Sequence, residues 1–587
     1  MYIGQSKILE NKIIIYFKCQ TCDSPEQLIS SELFARVLKM AVQELAEKNS
    51  MLLDIFENRN NINDEDIQKL IDTLLYAYRM PVNLITQVVK GLEQFLKNPV
   101  LLSDFIQYLH DYWRKFERII IICRSSEEDK LEERPYMTFQ ETVEKLKYLI
   151  SKIYCNLQIN IAHQSVHQVA TGGELAAIVT EKTFPFKGAA YNKLNEIPVI
   201  RQICIYPPII LNSPTTKRTG NFEQIAQNPI EIVDIDPEEW LCYPAKVGNL
   251  VINIYFHQRF FTLGLSLCNL FELAKDHDLN KCPDAIYLFG IPGAAIDGLA
   301  KLPIVFYDDE ENNMIVGAVP NYDEFGYFGY LKKMVLTLHN ICIMKIGDMP
   351  FHGAMARIVL KGNKAANVLL MGDGGAGKSE MLAAFQVLAG EYIQDINIIA
   401  DDMGSLSINE HGEVIAYGTE IGGFVRLDAL NPDYVFSQID KAIIMNVNKK
   451  NARIVLPLTN LDYVTKGYKV DCILYCNNYE EVTEKQPVIE RFASLAEAIN
   501  TFRQGAVMSV GVSSSTGLVH SYFANVFGPA QYRQLHEPIA EKFFNRFFAN
   551  KLFVGHMRTR LSIKGWERKG PEEAAKELFK IIQNSDW

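Results

Sequence analysis

Between Val368 and Glu380 the chain reads Val-Leu-Leu-Met-Gly-Asp-Gly-Gly-Ala-Gly-Lys-Ser-Glu. Gly372 and the Gly377-Lys378-Ser379 triplet stand at the spacing of a phosphate-binding loop, with Asp373, Gly374, Gly375 and Ala376 between them. Glycines let the backbone curl until successive N–H groups point at phosphate oxygens, and a following helix adds partial positive charge at its N-terminus. The Lys378 ammonium has the reach for the β- and γ-phosphates, and the Ser379 hydroxyl suits Mg²⁺. The apolar run before Gly372 reads as a buried strand. Met381 to Phe385 reads as an apolar-faced helix after it. These types in this order predict a bound nucleoside triphosphate.

Further charged residues fall where such chemistry needs them. Ile398-Ile399-Ala400 leads into Asp401-Asp402, an apolar strand ending in two carboxylates. Acidic metal ligands of α/β nucleotide sites collect at such strand ends. Arg426 and Arg453 each stand beside a strand-like segment, and arginine is the residue type for bidentate phosphate or carboxylate recognition. Tyr327-x-Gly329-x-x-Lys332-Lys333 opens a helix-like apolar run, and Pro350-Phe351-His352-Gly353 precedes the loop strand. Taken singly, a lysine or histidine of this kind is more often structural than ligating. A small basic loop, Thr216-Lys217-Arg218-Thr219-Gly220, is the remaining place for an anionic substrate.

The elements that must hold these residues show in the texture of the chain. From about residue 27 to 160, apolar positions recur every three and four residues, predicting helices, and Asn61 to Asp64 is a polar break suited to capping one. From about 166, β-branched runs punctuated by Gly and Pro predict strands of a mixed α/β region. The length of 587 residues allows a large core in several domains. A net charge of −11 argues against a nucleic-acid partner. No apolar run reaches the roughly 20 residues that span a bilayer, so no membrane partner is expected. The start of the chain has no secretory pattern, and eleven scattered cysteines suit reduced thiols, so the expected location is cytoplasmic. Cys19-x-x-Cys22 lacks a second ligand pair at zinc spacing.

Taken in order, these motifs resemble the ATP-dependent phosphoenolpyruvate carboxykinase family. That family shows a Tyr-x-Gly-x-x-Lys-Lys segment, a His segment, a phosphate loop and an Asp-Asp pair. A Glu-x-Gly-Gly-like segment ending in a cation and Asn-x-Arg-x-x-x-Pro follow. Here these are Tyr327 to Lys333, His352, Gly372 to Ser379, Asp401-Asp402, Glu420 to Arg426 and Asn451 to Pro457. Arg560-Leu-Ser-Ile is similar to the family's adenine-proximal Arg-Ile-Ser-Ile. The likeness covers roughly 200–587 and is closest from 323 onward.

The resemblance implies an α/β (α+β) fold: a two-lobed mixed-sheet core with a phosphate loop, and an N-terminal α-helical domain outside it. The implied boundaries are 1–165 for the helical accessory domain, 166–345 for the first lobe and 346–587 for the nucleotide-binding lobe. It further implies that Lys333, His352 and Asp402 hold Mn²⁺, the lysine being neutral when it does so. Mg²⁺ would lie between Ser379 and ATP, with Asp401 nearby, and Arg560 beside the adenine. Arg453 would neutralise the transferring phosphoryl, with Arg426 where the family has a lysine. Tyr327 and Arg218 would face the small-molecule substrate, oxaloacetate or phosphoenolpyruvate. Two departures keep the acceptor open. Glu380 follows Lys378-Ser379 where the carboxykinases usually have threonine, and locally this is closer to HPr kinase/phosphorylase, which phosphorylates a protein. The family's Thr-Gly-Arg-Ser-Pro loop is also missing as such, with Arg218 only in a corresponding position. A kinase acting on a protein or another small molecule, and a nucleotide sensor without turnover, are the alternatives.

Overall fold

The computed structural model describes residues 3–9, 12–18, 25–114, 117–123, 148–149, 152–153, 155–157, 166–167, 175–205, 209–211, 213, 215, 222–296, 300, 304–427, 441–447, 451–509, 517–526 and 529–585. The fold is mixed α and β, with several mixed sheets and an N-terminal helical region. The chain divides into two compact units, Met1–Ala176 with Gln202–Tyr206, and Ala177–Arg201 with Pro207–Trp587. None of the described helices is long and apolar enough to cross a membrane.

The first unit is built on the helices Glu32–Glu47, Asp64–Arg79 and Pro99–Arg114. Asn63 starts the second of these. Its side chain accepts from the Glu65 and Asp66 amides, while Asp66 accepts from the Asn63 amide. That reciprocal cap satisfies N–H groups that the first helical turn otherwise leaves unpaired. Leu38, Ala41, Leu70, Leu102 and Phe105 are fully buried between the helices, and the Phe56 ring meets Phe95 edge-on at 5.5 Å. The unit is not wholly helical. Ile3–Leu9, Lys12–Lys18 and Glu117–Cys123 form a three-stranded sheet, antiparallel then parallel. Four consecutive isoleucines, Ile119 to Ile122, override the helical periodicity around them, because β-branched side chains pack better on a pleated strand.

Among its described residues the second unit contains two large sheets, a four-stranded one and the two-stranded pair Ala506–Met508 with Leu518–His520. In the first, Leu250–His257, Ala285–Ile291 and Met314–Pro320 run parallel as neighbours, with Trp240–Val247 antiparallel beside Leu250–His257. The helix Phe328–Lys345 follows and is buried on almost every side, including Lys332 and His339. In the other large sheet the long strand Met349–Leu360 pairs with Met403–Ile408 through its first residues. Its later residues pair with Ala365–Met371 and Ile393–Ala400. Ala365–Met371, Cys472–Asn477 and Phe553–Arg558 are parallel neighbours. Lys378–Val387 packs on the closing helix Lys569–Asn584, with the Phe385 and Phe579 rings 5.7 Å apart. Burying each such side chain is worth about 1.5–3 kcal/mol. The four-stranded sheet joins Gly422–Arg426, Arg453–Pro457, Ile443–Met445 and Ile209–Leu211.

Candidate active site

The phosphate loop bridges the strand Ala365–Met371 and the helix Lys378–Val387. Gly375 and Gly377 take φ of +86° and +102°, which side chains with a Cβ rarely adopt. A Cβ on Gly377 would also lie 2.8 Å from the Thr559 hydroxyl, so glycine is required there twice over. Residues beyond the two neighbouring parallel strands pull the loop carbonyls back. Thr559 Oγ1 donates to the Ala376 carbonyl at 2.8 Å, and Asn478 Nδ2 to that of Gly375 at 2.9 Å. The Gly374 and Ala376 amides bond to Asp373 within the loop, at 2.7 and 3.0 Å, and the first turn of the helix that follows offers its partial positive charge to an anion. Ser521 Oγ donates to Asp373 at 2.7 Å. Lys378 Nζ lies across the loop, donating to the Gly372 and Asp373 carbonyls at 2.7 and 3.1 Å.

Beside the loop the chain gathers two ammonium groups and one imidazole around one carboxylate. Lys332 and Lys333 Nζ reach Asp402 Oδ2 at 2.9 and 2.5 Å, and His352 Nε2 lies 2.9 Å from Asp402 Oδ1. Lys378 Nζ is 3.5 Å from the same His352 nitrogen. Lys333, His352 and Asp402 are therefore together, next to the phosphate loop. Lys332 also meets Glu420 at 3.1 Å, and Thr419 Oγ1 donates to Glu420. Ser379 Oγ donates to Asp401 Oδ1 at 3.3 Å.

Burial and charge divide these groups. Burial alone would raise the Asp402 carboxyl, but the charges of Lys332 and Lys333 reverse this and hold it well below the usual carboxylate range. Asp401, next in sequence, is pushed up by burial despite Lys332. Burial likewise lifts Glu420 to about 7 against the pull of Lys332. Burial works against the Lys332 charge too, yet Asp402 and Glu420 together carry its pKa above an ordinary lysine. His352 is pushed down by burial and then by Lys378.

Strand pairing positions the arginines. Gly422–Arg426 runs antiparallel to Arg453–Pro457, with Arg426 opposite Arg453. A Cβ on Gly423 would come 3.0 Å from Asp401 Oδ2, so this strand passes directly alongside the carboxylate pair. The Arg453 guanidinium lies 5.4 Å from the Phe424 ring centre, and its buried Nε has no partner among the described residues. Tyr327 is buried and packs on Phe424 at 5.8 Å. Glu380 is raised by burial, with Lys378 and Arg426 pulling the other way. Arg560 sits apart from the cluster, paired with Glu573 and stacked 3.7 Å over Trp566. Arg218, Cys19 and Cys22 lie outside the described residues.

Lys332, Glu420, Ser521, Asn478 and Thr559 were not singled out as site residues from the sequence. Lys332 and Glu420 stood inside motifs used for the resemblance. The other three carry no local signal, being brought in by strand order. Among the described residues no three His, Cys, Asp or Glu side chains form a metal cage, so a metal here depends on Lys333 as a donor. The His352 tautomer favours that arrangement. Nδ1 donates to the Ala524 carbonyl at 2.5 Å, which leaves the Nε2 lone pair facing Asp402 Oδ1 when the imidazole is neutral. With the ring neutral, Nε2 and Asp402 Oδ1, 2.9 Å apart, are two acceptors that a cation can bridge, and Lys378 Nζ already stands 3.5 Å from Nε2. The nitrogen and oxygen donor set suits a divalent transition metal.

No protein-family model matches the chain, and no curated protein sequence matches it.

Proposed function

We propose that the protein is an ATP-dependent phosphotransferase of the phosphoenolpyruvate carboxykinase type, with a carboxykinase-like two-lobed core. The observation that carries this reading is the meeting of Lys333, His352 and Asp402 within hydrogen-bond distance, with Lys378 of the phosphate loop 3.5 Å from His352. A protein that only sensed nucleotide would have no use for two further buried or half-buried lysines at the phosphate end. The acceptor proposed is oxaloacetate, which loses CO₂ to leave an enolate whose oxygen takes the γ-phosphoryl of ATP, giving phosphoenolpyruvate and ADP.

In this reading the helix N-terminus after the loop and Lys378 hold the triphosphate, Lys378 exchanging the loop carbonyls for phosphate oxygens. Ser379 would hold Mg²⁺, and Lys333, His352 and Asp402 would hold Mn²⁺. The metals supply Lewis-acid stabilisation of the phosphate and enolate oxygens. Lys332, fixed by Glu420 and Asp402, keeps a full positive charge beside the transferring group. Arg453 offers its unpaired Nε to the same oxygens. Such fixed charges act most on the transition state, where negative charge spreads over the phosphoryl oxygens. Arg560 and Trp566 would border the nucleobase.

The test is purified protein with ATP, Mg²⁺, Mn²⁺ and oxaloacetate, followed by an assay for phosphoenolpyruvate. Phosphoenolpyruvate formed with ADP is the expected result. ADP produced only with a different acceptor would transfer the reading to a kinase of the HPr-kinase kind. ATP binding without turnover on any acceptor would make the protein a sensor.

A further inference from the structure

Three consecutive residues beside the site have left-handed backbone, and none of them is glycine. Phe523, Ala524 and Asn525 take φ of +46°, +56° and +58°. Residues with a Cβ enter this region singly, not in runs, so the turn is strained. Its own hydrogen bonds do not explain it. The Ala524 amide donates to the Ser521 carbonyl at 2.9 Å and the Asn525 amide to that of Tyr522 at 3.0 Å, bonds that a right-handed turn supplies without strain. Packing holds it instead. Phe523 and Ala524 are buried, the Phe523 ring lies 4.8 Å from that of His536, and His536 Nδ1 meets the Tyr522 hydroxyl at 2.8 Å.

The turn delivers one group to the site. The Ala524 carbonyl lies 2.5 Å from His352 Nδ1. A carbonyl oxygen only accepts, so Nδ1 carries the proton and Nε2 keeps its lone pair when the ring is neutral. The ring has another choice. Asp402 Oδ1, 2.9 Å from Nε2, would accept a proton placed there and so close the lone pair. Lys378 Nζ is farther from Nε2, at 3.5 Å, and is held by two loop carbonyls. Asp373 Oδ1 stands 3.8 Å from Nδ1, too far for a hydrogen bond, and accepts from the Gly374 amide. The Ala524 carbonyl therefore decides between the two tautomers.

We propose that the left-handed turn at 523–525 is a positioning device for His352. Its strain is kept because only this backbone aims the Ala524 carbonyl at Nδ1, which leaves Nε2 open as a ligand atom for a divalent metal. Ala524 is the positioning residue, and its role rests on the reading of His352 as a metal ligand. Ligating histidines are oriented through the hydrogen bond of their other ring nitrogen. Ser521, at the start of the turn, donates to Asp373, so the phosphate loop and the ligand histidine share one support.

Asn525 is exposed, so substitutions there act on the backbone and leave the packing alone. Val526 beyond it is buried, so loss of the positive φ must swing the peptide that carries the Ala524 carbonyl. Asn525→Gly tolerates the turn, Asn525→Val disfavours it and Asn525→Pro cannot adopt it. Nitrogen-15 labelling of the histidine rings in the full chain reads the tautomer, because protonated and bare ring nitrogens differ widely in chemical shift. Comparison with His352→Gln identifies the signal among the eleven histidines. Mn²⁺ titration followed by electron paramagnetic resonance gives an affinity without turnover, and thermal unfolding shows which variants are folded. The Nδ1–H form is expected in the unsubstituted protein and in Asn525→Gly, with equal Mn²⁺ affinities. Asn525→Val and Asn525→Pro should shift the ring toward the Nε2–H form and weaken Mn²⁺ about tenfold or more. An Nε2–H ring in the unsubstituted protein would overturn the proposal. So would an unchanged tautomer and affinity in Asn525→Pro, or in Asn525→Val where the proline variant does not fold. A tautomer that shifts as expected in a protein that binds no Mn²⁺ upholds the role of the turn and removes the metal from the proposed function.

Discussion

The two units bury different things. Among its described residues the first unit buries Thr73 and Asn156 but no acidic, basic or histidine side chain. The second buries Lys332, Lys378, Asp401, Glu420 and His352, all around the phosphate loop, and Asp309, His339, His536, Arg558 and Arg560 besides. Taking an ion out of water costs several kcal/mol, and pairing returns only part of it. The interior of the first unit is held by apolar packing alone, whereas that of the second also holds paired charges, many of them gathered beside the phosphate loop.

Three comparisons separate these roles. The largest effect is expected from Lys378→Ala, which should cut phosphoryl transfer on the order of 10²–10³-fold or more. Leu70→Ala, in the apolar core of the first unit, should leave turnover per folded molecule unchanged. ADP release measured on both variants checks this, and turnover retained without Lys378 would remove the loop from the mechanism. Next, Asp402→Asn leaves Lys332 and Lys333 without their shared carboxylate and should destabilise the second unit by about 3–5 kcal/mol. Asp66→Ala removes only an exposed capping bond in the first unit and should cost about 1 kcal/mol or less. Hydrogen exchange in the helices Phe328–Lys345 and Asp64–Arg79 reads the two losses separately.

The smallest effect is acid sensitivity. Burial holds His339 and His536 at about 4, against 6.5 for a free imidazole. The unfolded chain thus binds more protons than the folded one below about pH 6.5. Stability complete above that pH is lost as pH falls toward 4, by about 1 kcal/mol per histidine at pH 5.5. Hydrogen exchange at pH 7 and 5.5, corrected for intrinsic rates, should show the second unit loosening first. Equal loosening of both units would mean that these histidines do not set the acid limit.

The parts of the site readable from sequence are those that are contiguous. The phosphate loop, its strand and its helix lie together in the chain, and the apolar run ending at Ala400 delivers Asp401 and Asp402 at a strand end. Lys333 and His352 were reachable only through the order of motifs. Lys332 was harder still. Adjacent residues on a helix point about 100° apart, and Phe328–Lys345 is apolar almost all round, so no periodicity says which lysine turns inward. Thr559, Asn478 and Ser521 reach the loop because of sheet order and connection, which no local pattern encodes. The strand Glu117–Cys123 was missed for the opposite reason: a local β-branched run lay within a long helical periodicity.

The four-stranded sheet sets a timetable. Ile209–Leu211 pairs in parallel with Ile443–Met445, over two hundred residues later. Made at roughly 5–20 residues per second, the first strand waits on the order of 10–50 s on the ribosome for its partner. Ile209, fully buried in the finished sheet, lacks its partner strand throughout that interval. Chain closure over such a span is slow, and an unpaired apolar edge invites pairing with another chain. Slower translation lengthens this exposure, and a holdase that covers residues near 209 during synthesis shortens its consequences.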